Sequence, residues 1–175
     1  SEEITRALIY RGQQEGESHR KLKLFVAEWL RRDPDVQQVD VELTKFSAVA
    51  AGEWRRPDVR CVYKGVPIVF ELQLSYTFLS TVIERDEFYQ REREFIIWVF
   101  PSFDRSRATV TDEAFFNRRN LFVLDAEAQQ ATLVRGLLTF SGYHQEPRIV
   151  RDSIEDTWIN TLVGLREAHF PPYTY

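Results

Sequence analysis

The sequence predicts an α/β domain with a central mixed sheet flanked by helices, and three observations carry that expectation. Apolar residues recur at three- and four-residue spacing after Gly16 and again from Thr77 to Arg91, the period of a helix with one buried face. Short runs rich in Val, Ile and Phe stand at Val59 to Tyr63, Val66 to Leu74 and Phe95 to Phe100, as strands do. Short breakers separate these segments and no internal repeat is present. The chain has 175 residues, 43 % of them hydrophobic and 14 % aromatic, so one domain with a substantial core is expected and disorder is not. Its core is expected over about residues 16–125, with a C-terminal extension over 126–175.

The first helix is signalled by Ser18, Leu22, Phe25, Val26 and Trp29 and stops at Asp33-Pro34-Asp35, where proline and its neighbours oppose helix. Val39, Val41 and Leu43 alternate with Asp40, Glu42 and Thr44, a half-exposed strand whose acids face water. The small, Ala-rich stretch from Lys45 to Trp54 reads as a loop or wide turn. Val59 to Tyr63 and Val66 to Leu74 are joined by Lys64-Gly65, a spacing that suits a two-residue hairpin. A helix from Thr77 to Arg91 carries Phe78, Leu79, Val82, Ile83 and Tyr89, and the strand FIIWVF closes at Pro101. A helix containing Ala114, Phe115 and Phe116 precedes a strand at Leu121 to Leu124, and a hairpin-like pair is expected around Ala131 to Tyr143. Ile154, Trp158, Ile159, Leu162 and Leu165 stand at helical spacing, which predicts a packing helix from Ile154 to Phe170.

Composition narrows the function. No apolar run approaches the roughly 20 residues that cross a bilayer, and the N-terminus lacks a signal-peptide pattern. A cytoplasmic location without membrane association is expected. The single cysteine, Cys61, lies in a strand and reads as a core thiol. A net charge of -4 gives no global attraction to nucleic acid, so such binding would rely on local groups such as Arg55 with Arg56. The chain has no methionine and begins at Ser1, which suggests a piece of a longer parent.

The chemistry is concentrated between Arg55 and Ser75. Asp58 follows Pro57 at the mouth of one hairpin strand, and Glu71 and Gln73 lie in the apolar run of the other. Glu71 and Gln73 share a face because strand side chains alternate. A buried carboxylate costs several kcal/mol or more unless paired. If the turn sets the register, Asp58 and Glu71 converge at one end of the hairpin. Two converging carboxylates repel, and a divalent cation such as Mg²⁺ relieves that repulsion. Such a cation would equip the site for phosphodiester hydrolysis.

Arg56-Pro57-Asp58, a hairpin and then Glu71-Leu72-Gln73, set in a helix, three strands, helix, strand order, resembles the PD-(D/E)xK nuclease superfamily. The chain looks most like the branch around the competence protein CoiA. The resemblance spans roughly Gly16 to Pro101. It includes Glu17, His19 and Lys23 on the first helix, and Arg85 with Tyr89 on the second, followed by Trp98. It implies a restriction-endonuclease-like core (α-β-β-β-α-β) and a DNA substrate. Asp58 and Glu71 would hold Mg²⁺ or Mn²⁺, Gln73 would take the position usually held by Lys, and Glu17 would support the site. His19, Lys23, Arg85, Tyr89 and Arg56 would contact or neutralise the substrate. Gln73 departs from the superfamily pattern, although the CoiA-like branch resembles this chain in having Gln there. An amide can orient water or phosphate but brings no positive charge.

Each of these residues also has a plainer reading. Asp58 would cap a turn after Pro57, Glu71 would pair across the sheet with Arg60, and Gln73 would bond within the sheet. Glu17 would favour a helix N-terminus, and His19 with Lys23 would be a solvated helix face. The alternative function is a nucleic-acid or protein binding module on the same fold without turnover.

Overall fold

The computed structural model describes residues 16–73, 79–104, 121–151 and 153–170. Helix α1 (Glu17–Arg32) leads into strand β1 (Val36–Val41), a two-stranded ribbon of β2 (Lys45–Phe46) and β3 (Trp54–Arg55), and the hairpin β4 (Val59–Tyr63) and β5 (Val66–Leu72). Helix α2 (Leu79–Arg91) crosses over to β6 (Phe95–Phe100), followed by β7 (Leu121–Val123), helix α3 (Ala126–Arg135), β8 (Thr139–Val150), β9 (Ser153–Gly164) and a 3-10 turn at Leu165–Glu167. Seven strands form one sheet in the order β1-β4-β5-β6-β7-β8-β9. The pairings β1–β4 and β4–β5 are antiparallel, and β5–β6 and β6–β7 are parallel. The sheet is therefore mixed, as expected.

The turn between β4 and β5 forms where Lys64 and Gly65 both take positive φ, +48° and +81°. Two left-handed residues match the right-handed twist of a hairpin, and the glycine accepts that geometry without strain. The resulting register pairs Val59 with Phe70 and Tyr63 with Val66.

Alternation divides the hairpin between two cores. Val59, Cys61, Tyr63, Ile68, Phe70 and Leu72 pack with Leu22, Val26 and Leu30 of α1 and with Ala128 of α3. On the opposite face Val69 packs with Phe88 and Tyr89 of α2. Each fully buried aliphatic or aromatic side chain contributes about 1.5–3 kcal/mol, so this double coverage fixes the hairpin between two layers. Cys61 is fully buried, and burial pushes its thiol up to about 12, as a core thiol should behave.

Four expectations are corrected. The Lys45–Trp54 stretch carries the β2–β3 ribbon. Glu42, expected to face water, is paired with a buried lysine. The segment around Ala131 is helix α3 rather than a strand, capped by Asp125 Oδ1 accepting from the Ala128 N–H at 2.9 Å and ended by left-handed Gly136; these are ordinary helix signals. The expected helix from Ile154 to Phe170 is mostly strand β9, paired from Ser153 to Gly164 with β8. Thr157, Ile159, Thr161 and Val163 supply a two-residue β-branched period there, and the long pairing partner decides in its favour. The helix expected at Ala114 to Phe116 lies outside the described residues. Among the described residues no helix is long and apolar enough to cross a membrane.

Candidate active site

Asp58 stands one residue before β4, and the hairpin register brings it beside the end of β5. The Leu72 N–H donates to Asp58 Oδ2 at 2.8 Å, and the Glu42 N–H donates to the Asp58 carbonyl at 3.1 Å. His19 Nε2, from the first turn of α1, lies 3.3 Å from the same Oδ2. The Leu72 N–H fixes the direction of the Asp58 carboxylate, as a backbone donor does.

Glu71 lies in β5, in register with Trp98 of β6, on the face covered by α2. It is only 4 % exposed. Arg85 Nη1 lies 2.5 Å from Glu71 Oε1, and the Tyr89 hydroxyl donates to the same oxygen at 3.1 Å. Arg85 and Tyr89 are four residues apart on α2, so both reach the sheet from one helix face. Burial pushes the Glu71 carboxyl up to about 7, Arg85 opposes that rise, and the Asp58 charge adds to it. The influence of Asp58 on Glu71 is the electrostatic mark of their convergence. Burial and the neighbouring Glu71 charge raise the Tyr89 hydroxyl above its usual range, so it acts as a hydrogen-bond donor.

A second charged group adjoins the first. Lys23 is 2 % exposed and its Nζ lies 2.9 Å from Glu42 Oε1. Arg56 Nη2 lies 3.1 Å from Glu42 Oε2, and Arg56 Nε donates to the Glu42 carbonyl at 3.0 Å. The hydrogen bond from Lys23 holds the Glu42 carboxyl below its usual value. Glu42 has φ +51°, a left-handed conformation uncommon for a residue with a side chain. That backbone turn aims its N–H at Asp58 and its carboxylate at Lys23.

The expected site residues therefore fall into three sets. Asp58, Glu71, His19, Arg85 and Tyr89 meet around the end of β5. Lys23 and Arg56 join through Glu42, which sequence reasoning passed over because its acid fitted a solvated strand face. Glu17 is not brought in: its carboxylate is largely exposed and pairs with Lys21 at 2.5 Å. Gln73 follows β5, half-buried, with its N–H on the Val99 carbonyl at 2.8 Å. Tyr89 is fully buried and Lys23 nearly so, and the contacts described for them are to Glu71 and Glu42. Arg60, weighed as the partner of Glu71, instead grips Glu94 through Nε and Nη2 at 3.1 and 2.9 Å.

The donor chemistry suits a hard divalent cation. The contacts described above fall on Asp58 Oδ2 and Glu71 Oε1, and carboxylate oxygens are the donors such an ion takes. Among the described residues no group of three or more His, Cys, Asp or Glu has metal-binding geometry. Mg²⁺ is commonly held by one or two carboxylates together with waters and substrate phosphates, and Asp58 and Glu71 are the acids that would hold it here.

A family model described as "Domain of unknown function (DUF6035)" matches residues 2–175, and the chain belongs to that family. No curated protein and no solved structure matches it.

Proposed function

We propose that the chain is a metal-dependent nuclease that hydrolyses DNA phosphodiester bonds. The observation that carries the proposal is the placement of Asp58 at the mouth of the β4–β5 hairpin beside buried Glu71 at the end of β5, near enough for the Asp58 charge to act on Glu71. The order of α1, β1, β4, β5, α2 and β6, with two antiparallel pairings followed by a parallel one, supports a restriction-endonuclease-like core of the PD-(D/E)xK type.

Asp58 and Glu71 would hold Mg²⁺ or Mn²⁺, which when bound would supply charge stabilisation at the scissile phosphate and a water of lowered pKa. Asp58 is aimed by the Leu72 N–H, with the His19 ring nitrogen 3.3 Å from the same oxygen. Glu71 is held by Tyr89 and neutralised by Arg85, which keeps an ionised carboxylate tolerable in a buried position. Gln73 is assigned the orientation of water or phosphate through its amide. Arg56, half-exposed on Glu42 and two residues before Asp58 in the chain, is assigned to the substrate backbone.

Cleavage of labelled single-stranded, double-stranded and branched DNA with Mg²⁺, Mn²⁺ or chelator tests this, comparing the protein with Asp58→Ala and Glu71→Ala. Metal-dependent cutting that both substitutions abolish supports the proposal. DNA binding without cutting, unchanged or improved when both acids are removed, favours a binding module instead. The neutral amide of Gln73 is the observation on that side.

A further inference from the structure

The β2–β3 ribbon reverses the usual placement of charged and apolar side chains. Its two cross-strand pairs are Lys45 with Arg55 and Phe46 with Trp54. Directly opposed residues share a face, so one face is cationic and the other aromatic. The cationic face turns inward: Lys45 Nζ lies 3.2 Å from Glu94 and 3.4 Å from Glu92, and the Arg55 guanidinium lies 5.1 Å from the centre of the Phe88 ring. The aromatic face turns to solvent, with Phe46 70 % and Trp54 54 % exposed. Exposed large apolar groups set side by side mark an interaction site more often than scattered single ones do.

The ribbon is also held rigidly. Glu92 accepts from the Ser47 hydroxyl at 2.5 Å and from the Ala48 N–H at 3.0 Å, which pins the loop that joins the two strands. A ribbon whose loop is pinned loses little backbone entropy on binding. Trp54 stands four residues before Asp58, at most about 14 Å of extended chain. Arg56, whose half-exposed guanidinium rests on Glu42, stands between them in the chain. Flat rings next to a cation, beside a phosphodiester site, match the ring-plus-phosphate pattern of an unpaired nucleotide, because every base has a face to stack while paired bases do not offer one.

We propose that Phe46 and Trp54 form a stacking platform for unpaired bases, with Arg56 meeting the adjoining phosphate, so that the chain engages single-stranded DNA or single-stranded segments of branched DNA. Resting on the nucleic-acid reading above, the platform names the substrate class but does not depend on turnover.

The test is binding of a short oligothymidylate in chelator, read by quenching of tryptophan fluorescence and by anisotropy, with a duplex of equal length beside it. The expected result is quenching that Trp54→Ala removes, and an affinity for the single strand that Trp54→Ala and Phe46→Ala each lower about tenfold. Trp54→Phe should keep most of the affinity, which separates stacking from a folding defect. Single-strand affinity unchanged by Phe46→Ala and Trp54→Ala, or equal affinity for the duplex, overturns the platform. A concentration-dependent dimer dissolved by the same substitutions, without DNA binding, also overturns it and assigns the face to a second copy. Cleavage in Mg²⁺ is scored separately: cutting with an idle ribbon sinks only the platform, whereas a working ribbon without cutting sinks only the nuclease.

Discussion

Arg85 Nη1 and Glu71 Oε1 stand 2.5 Å apart on the α2 face of the sheet, and this contact makes the most buried acid of the candidate site tolerable. Removing Arg85 leaves a carboxylate with one weaker donor, Tyr89. Arg85→Ala is expected to destabilise the protein by about 1–3 kcal/mol at pH 8 and by clearly less at pH 5.5, where Glu71 takes up a proton. Urea titrations at the two pH values check this; an equal loss at both would mean that the pair is not an ionic one.

Glu71 also sets a pH dependence of stability. Its folded pKa, about 7, lies above the ordinary value of 4.5, so the folded state binds its proton more tightly than the unfolded chain does. The associated stability is fully present below pH 4.5 and is lost as pH rises through 7. Glu71→Gln has no such titration. The stability of the unaltered protein relative to Glu71→Gln should fall between pH 4.5 and 7, by up to about 1.4 kcal/mol per pH unit, and level off above pH 8. A flat difference across that range contradicts a buried, titrating Glu71.

Tyr89→Phe removes the hydroxyl that favours the charged form of Glu71 while keeping the buried ring. The expected cost is about 1 kcal/mol, with the Glu71 titration shifted upward, read by following the Glu71 carboxyl carbon by NMR. An unmoved titration would show that Tyr89 contributes packing alone.

Lys23 and Glu42 predict a contrast between two substitutions. Lys23→Ala opens a cavity and removes the Glu42 partner, whereas Lys23→Met keeps the volume. The first should cost about 2–4 kcal/mol and the second less than half as much. Glu42 is held below its usual pKa, so its stabilising contribution is present above pH 4.5 and lost as pH falls through the lowered value. Thermal denaturation of both variants at pH 7 and pH 4 checks the size and the sign.

Local signals proved legible where one short segment contains the whole cause. Lys64-Gly65 announces its own turn, and the alternation of β5 puts Glu71 opposite the Phe70 face without any knowledge of the rest. The Asp125 cap and Gly136 stop of α3 are written in the sequence too, but the segment around Ala131 reads as one arm of a hairpin when its caps are passed over. Strand β9 was illegible because Ile154, Trp158 and Leu162 fit a helical period while Thr157, Ile159 and Thr161 fit a strand, and only pairing with β8 decides. Within the site, Asp58 and Glu71 stood out as acids in apolar strand sequence. Glu42 did not, because its role depends on a left-handed backbone and on Lys23 from another element. The engagement of Arg85 by Glu71 was hidden for the same reason: partner choice is a tertiary fact.

The central claim is that Asp58 and Glu71 together hold a divalent cation, and a Mn²⁺ titration followed by electron paramagnetic resonance at pH 6 and pH 8 tests it most directly. One bound ion is predicted, tighter at pH 8 because Glu71 must lose its proton, and lost in Asp58→Ala and in Glu71→Gln. Absent binding at both pH values, or binding that survives both substitutions, would contradict the account.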